Sequence, residues 1–263
     1  MIITGFAGKT AISTGAASGM GLLFAETFAK EGGNVVMCDI NGDVLKEKAE
    51  EINSRDGGRA IAVVCDVRDY AQICAARDKA IEVFGRIDIL CNFAGGTAVR
   101  MQNAPRVEFP EVPIEIYDWG LEVNLRAPLY FAHAVTPQMR EQKSGLIINL
   151  GSITGMEGDP YGIDYPTAKA GLMYGLTKSL AQYGASYNIR CVCVSPGPVL
   201  TRPSQAGMPT LLGRAAQPQE VVDLIMFIAS DQGQFINGTN IMIDGGRDAM
   251  QRDGSRNPMG KWR

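Results

Sequence analysis

Tyr165 and Lys169 stand one helical turn apart, downstream of Ser152 and Asn124. In a helix, residues four apart share a face. A free phenol has a pKa of about 10 and keeps its proton at neutral pH. An ammonium group on the same face favours the phenolate and draws that pKa down. Tyr165-x-x-x-Lys169 is therefore expected to exchange a proton with a ligand near neutral pH. Pro166 is expected at the start of the helix, where a missing amide costs nothing, so Tyr165 should stand at the helix mouth. Read singly, each residue has a plainer role: Ser152 ends a strand, Asn124 satisfies helix backbone, and Tyr-x-x-x-Lys recurs on helices that do no chemistry.

A second group lies near the N-terminus. Gly15, Ser18, Gly19, Met20 and Gly21 fall in the run from Thr14 to Gly21, between an apolar run and a helical one. Glycines there permit a tight turn and close approach of a diphosphate, which the free amides and positive dipole end of the following helix would hold. The spacing Gly-x-x-x-Gly-x-Gly is not the commoner Gly-x-Gly-x-x-Gly, and alone it also fits a turn with no ligand. Asp39 closes the next apolar run, where a carboxylate can grip adenosine ribose hydroxyls and repel a 2′-phosphate; otherwise it caps the following helix. With neutral Ala17, Ser18 and Ile40 around it, NAD is favoured over NADP. Asp66 and Val67 fall beside the expected adenine by position, although a plain strand-end aspartate fits the spacing nearly as well.

Short Val- and Ile-rich runs at 10–14, 34–40, 60–67, 87–92, 146–150, 189–194 and 240–243 alternate with helical patterns at 19–31, 42–55, 70–84, 116–142, 165–187 and 218–230. Apolar runs without alternation suit strands buried on both faces. Strands alternating with helices imply βαβ units and a parallel sheet. The expected fold is α/β: a single Rossmann-type doubly wound domain of about seven parallel strands flanked by helices. Ligands of such sheets bind beyond the carboxyl ends of the strands. Gly15, Asp39, Asp66, Asn92 with Ala94 and Gly95, Ser152, and Pro196 with Gly197 all fall at such ends.

Composition narrows the function. The chain has 263 residues, 46% of them hydrophobic, and a net charge of −3. No basic face is available to neutralise phosphates, which argues against a nucleic-acid partner. No apolar run approaches a membrane span and the N-terminus does not read as a secretory signal, so a cytoplasmic location is expected. The six cysteines form no Cys-x-x-Cys and read as buried thiols. With a single histidine, His133, in a helical pattern, neither a metal centre nor a Ser-His-Asp hydrolase is expected.

Taken in order, Thr14–Gly21, Asn92–Gly95, Asn124, Ser152, Tyr165-x-x-x-Lys169 and Pro196-Gly197 resemble the successive motifs of the short-chain dehydrogenase/reductase family, over residues 8 to 246. The resemblance implies one Rossmann-type domain at 1–246, a C-terminal tail at 247–263, a homotetramer, and hydride exchange between a nicotinamide cofactor and a small-molecule alcohol or ketone. It implies that Tyr165 exchanges the proton and that Lys169 tunes it and binds the nicotinamide ribose. Ser152 would bind the substrate oxygen, and Asn124 would hold a water leading to Lys169. Val199 and Thr201, after Pro196 and Gly197, would lie near the carboxamide. One departure stands out: Phe93 occupies the place of the second asparagine in the usual Asn-Asn-Ala-Gly, so packing there must differ.

The expected activity is NAD-dependent alcohol dehydrogenation or ketone reduction. A 3-oxoacyl-thioester reductase, a silent nicotinamide-binding sensor and a lyase on the same scaffold are alternatives, the last two disfavoured by the intact tetrad. Residues 97–113, with three prolines and no helical period, are expected to form an ordered loop. That loop either partly replaces the short lid at 201–213 or contacts another subunit. Arg100 and Arg106 within it could meet an anionic substrate or simply be solvated.

Overall fold

The computed structural model describes residues 5–55, 59–105 and 107–250. The expectations concerning Met1–Thr4, Arg106 and the tail beyond 250 lie outside the described residues.

Seven strands form one sheet: β1 (Thr10–Thr14), β2 (Asn34–Asp39), β3 (Ala60–Val64), β4 (Ile89–Asn92), β5 (Gly145–Leu150), β6 (Ile189–Pro196) and β7 (Asn240–Ile243). Their order is β3-β2-β1-β4-β5-β6-β7, and every pairing is parallel. Alternate strand residues feed opposite faces, as the two-residue pleat requires. Ala11, Val35, Met37, Cys91 and Ile148 enter one core with Phe24 and Phe28. Ile12, Val36, Cys38, Leu90 and Ile147 enter the other with Phe131 and Met139. The edge strand β3 departs from the unbroken apolar pattern: Ala60 is buried, whereas Val64 is more than half exposed.

The helices are α1 (Gly19–Lys30), α2 (Gly42–Asn53), α3 (Tyr70–Phe84), α4 (Ala98–Met101), α5 (Ile114–Leu121), α6 (Ala127–Gln142), α7 (Thr154–Glu157), α8 (Asp164–Ala170), α9 (Thr177–Gly184) and α10 (Pro218–Ala229). Two expected long helices are interrupted. A π-helical turn, Glu122–Arg126, separates α5 from α6, and another, Gly171–Leu176, separates α8 from α9. Such turns gather at functional sites because they re-aim side chains within a continuous helix. The stretch 97–113 is not free of helix: it holds α4 and a 3₁₀ turn at Phe109–Glu111.

The strand expected over 60–67 stops at Val64. Cys65 still donates to Asp39 O, but the next amide, Asp66 N, is taken by Gln72 Oε1, and Asp69 N turns back to Asp66 O. The chain thus turns out of the sheet after Cys65. No described helix is long and apolar enough to cross a membrane. Arg247, just past Gly246, is buried and paired with Glu157 at 2.9 and 3.0 Å.

Candidate active site

The turn after β1 is tightly set. Gly15 has φ +66, a left-handed conformation costly for other residues, and a Cβ there would lie 3.0 Å from Ala94 Cα. Ala94 N in turn donates to Thr14 Oγ1 at 3.0 Å, which ties the β1 and β4 ends together. Ser18 precedes α1 without forming a side-chain cap, leaving first-turn amides for an anion. Asp39 accepts from Ala17 N at 3.0 Å and from Asn41 N at 3.0 Å. It thus positions the glycine turn and caps the approach to α2. A carboxylate has further lone pairs, so it can still accept from ribose hydroxyls. The uncapped amides and this carboxylate suit a dinucleotide.

Beside them, Thr14, Val67, Asn92, Ala94 and Val123 line a small cleft, which brings several expected adenine-side residues together. Asp66 does not face this group freely. Arg68 grips it through Nε at 3.0 Å and Nη2 at 2.6 Å, which holds its carboxyl below the usual range. Asn92 is buried and donates to Asn149 Oδ1 at 2.9 Å. Phe93, the departure noted above, packs its ring 5.5 Å from that of Phe24. The side chain thereby joins the core on that face of the sheet. On the far side, Pro196 O accepts from Ile153 N and Gly197 N donates to Ile243 O. Val199 is buried against Ala216 while Thr201 is exposed.

Ser152, Tyr165 and Lys169 meet between the ends of β5 and β6. α8 begins at Asp164, so Tyr165 is at its mouth as expected, and Pro166 lies within the first turn. Lys169 is buried; its Nζ lies 5.4 Å from the Tyr165 ring centroid and donates to Leu150 O at 2.7 Å. Burial pulls the ammonium down to about 8. The expected depression of the phenol is not found. Burial pushes Tyr165 above its ordinary value; the Ser152 hydroxyl, Arg202 and Arg100 pull against it, and Lys169 is not among them. One of the three ammonium N–H groups donates to the β5 carbonyl.

Asn124 is fully buried. From the π turn it donates to Gly96 O and Gly120 O at 2.9 Å each, and its Oδ1 accepts from Gly96 N at 3.0 Å. The side chain is a clamp on the loop after β4, with its polar atoms taken by protein groups. A Cβ on Gly95 would fall 2.5 Å from Asn124 Oδ1 and 3.5 Å from Lys169 Nζ.

Two residues flanking the motifs escaped the sequence reading. Arg202, next after Thr201, acts with Arg100 on the Tyr165 phenol. Asp164, directly before Tyr165, is buried with both carboxyl oxygens lacking a hydrogen-bond partner. Burial raises its pKa. Between the ordinary carboxyl value and the raised one, the folded chain holds a proton that the unfolded chain has released. Stability from this group is therefore complete below pH ~4 and is lost as pH climbs through the raised value. Asp164→Asn cannot titrate. Its melting temperature relative to wild type should rise with pH, by about 2–4 °C for each kcal/mol. Parallel melting curves from pH 4 to 8 would refute the assignment.

A profile described as enoyl-(acyl carrier protein) reductase matches residues 15–248. Oxidoreductase UcpA of Salmonella typhimurium is 38% identical over 257 residues, spanning 91% of this chain and 94% of its own. The trans-4-hydroxycyclohexanecarboxylate dehydrogenase of Sinomonas cyclohexanicum is 38% identical over 251 residues, spanning 92% and 93%. Among solved structures, the L-sorbose reductase of Gluconobacter frateurii, complexed with NADPH and L-sorbose, superposes with a TM-score of 0.85 at 28% identity. That match covers 95% of this chain and all of the other.

Proposed function

The chain belongs to the short-chain dehydrogenase/reductase family of oxidoreductases, and we propose that it interconverts a secondary alcohol and its ketone with NAD(H), Tyr165 carrying the proton. The observation supporting this most directly is the convergence of Ser152, Tyr165 and Lys169 at one edge of the sheet, beside the loop clamped by Asn124. A bound nicotinamide would supply or accept hydride.

The chain's own groups do the rest. Tyr165 takes the hydroxyl proton in oxidation and returns it in reduction. Ser152, within hydrogen-bonding reach of the phenol, stabilises charge developing on the substrate oxygen. Lys169 binds ribose hydroxyls. Asn124 fixes the floor of the site through Gly96. Gly15, Ser18, Gly19, Met20 and Gly21 cradle the diphosphate. Val67, Asn92, Ala94 and Gly95 flank the adenosine side, and Pro196, Gly197, Val199 and Thr201 the nicotinamide side. Asp66, engaged by Arg68, flanks the same adenosine side.

The relatives' names point to hydroxyl-bearing rings and sugars, while the profile description favours a second reading, an acyl thioester. A panel of cyclic alcohols, their ketones, sugar ketoses and a 3-oxoacyl thioester, each run with both cofactors and followed by reduced-cofactor absorbance, separates these. Because Asp39 ends β2 with no cation beside it, kcat/KM with NAD should exceed that with NADP by at least tenfold, equivalent to ~1.4 kcal/mol. Asp39→Ala should narrow the gap. A wild-type preference for NADP would overturn the cofactor assignment.

A further inference from the structure

Arg247 is the first residue of the stretch expected to be a C-terminal tail, yet it is buried. Asp244, just past β7, builds the turn that buries it. Its carboxyl oxygens accept from Gly246 N at 2.9 Å and Asp248 N at 2.7 Å, and its carbonyl accepts from Arg247 N at 3.3 Å. The chain thus turns at the carboxyl end of the sheet, and Arg247 points back into the protein.

All three guanidinium nitrogens are used. Nε donates to Glu157 Oε1 at 2.9 Å, Nη2 to Glu157 Oε2 at 3.0 Å, and Nη1 to Pro209 O at 3.2 Å. Only a planar fork grips both carboxyl oxygens and a further acceptor together. The two partners belong to different walls of the site. Glu157 closes α7, the single turn that begins two residues after Ser152. At the head of that turn Thr154 N donates to Ser152 Oγ at 3.2 Å. Pro209 lies in the 201–213 segment, which is held again where Leu212 N donates to Gly245 O at 3.1 Å. β5, β6 and β7 are neighbours in the sheet. The segments leaving their carboxyl ends therefore meet at one side chain: α7 from β5, residues 201–213 from β6, and Arg247 itself from β7.

The side chains of Arg247 and Glu157 are 8% and 18% exposed. Removing one partner of so sheltered a pair strands a charge, whereas replacing both by apolar groups is often neutral. Stability alone does not call for an ion pair here. What an apolar pair cannot supply is the third bond, to Pro209 O. We propose that Arg247 is a positioning residue. It holds α7, with Ser152 ahead of it, at a fixed separation from the 201–213 segment, and so sets how the substrate oxygen meets Ser152 and Tyr165. Its effect on turnover rests on the alcohol–ketone reading; its coupling of the two segments does not.

The test uses Arg247→Met, Glu157→Met and the double variant, each measured well below its melting temperature. Each single variant should lower that temperature by roughly 5–15 °C. The double variant carries no stranded charge, so a defect that persists in it is not the stranded charge. Its peptides spanning 153–158 and 209–213 should still exchange amide hydrogens about tenfold faster than in wild type, with α3 unchanged. For an alcohol or ketone that wild type turns over, kcat/KM should stay about 10–100-fold down in the double variant. Cofactor affinity should remain close to that of wild type.

Wild-type exchange in either segment of the double variant would overturn the coupling. A wild-type kcat/KM in that variant would overturn the positioning role and leave the pair a stability element. Faster exchange in both segments, with no alcohol or ketone turned over by wild type, would support the coupling and count against the alcohol–ketone reading alone.

Discussion

Tyr165→Phe is expected to remove turnover while leaving nicotinamide-cofactor affinity nearly unchanged. The change deletes one oxygen and keeps the ring that lies 5.4 Å from Lys169 Nζ. The proposed dinucleotide cradle uses the β1 turn and Asp39, neither of which touches that oxygen. Positioned proton transfer contributes roughly 10²–10⁴-fold in rate, and at least that loss should appear in single-turnover hydride transfer. Cofactor affinity, titrated by fluorescence, should move by less than threefold. Because burial raises the phenol, the wild-type rate of alcohol oxidation should climb with pH as the phenolate forms, and the variant should lack that limb. Substantial oxidation by the phenylalanine variant would sink the assignment of Tyr165 as proton carrier.

The fold was readable because its signal is local and repeated. Unalternating Val and Ile runs announce strands buried on both faces, and the observed β1, β2, β4 and β7 lie close to where those runs predict. The misreadings have physical sources that periodicity does not carry. β3 stops early because the chain turns after Cys65, with Gln72 and Asp69 taking the backbone groups of Asp66. The π turns hide inside continuous helical patterns: one extra residue per turn barely disturbs the apolar period, yet it delivers Asn124 to the loop after β4. At the site, residue types were legible but their partners were not. Lys169 shares a face with Tyr165, as the four-residue spacing requires, but the ammonium finds Leu150 O, a tertiary partner. Arg202 is one residue beyond a recognised motif; its relation to Arg100 exists only after β4 and β6 have been brought onto the same sheet edge by β5. Sequence spacing identifies groups sharing an element, whereas charge partners across elements depend on topology.

Gly95 and Asn124 offer the other large effect, and it is non-additive. Alanine at position 95 would carry its methyl to 2.5 Å from Asn124 Oδ1 while adopting φ +157, unfavourable for any L side chain. The amide must yield and Gly96 loses its clamp, in a loop that adjoins Lys169. Gly95→Ala should therefore cost about 1–3 kcal/mol of stability, as overpacking generally does. Turnover should fall on the order of 10²-fold, since small displacements of reacting groups carry penalties of that size. Asn124→Ala alone leaves Gly96 N, Gly96 O and Gly120 O without their partner, at about 1–3 kcal/mol for each group left buried and unpaired. In the double variant the methyl introduced at position 95 occupies space the amide has vacated. The backbone strain at that position is present in both backgrounds and cancels in the cycle, which isolates the clash. Urea unfolding of the four proteins should give a coupling of about 1 kcal/mol or more, with the double variant less damaged than the sum of the singles. Strict additivity would show that the Asn124 carboxamide does not fill the space beside Gly95, and the clamp would no longer explain why that position has no side chain.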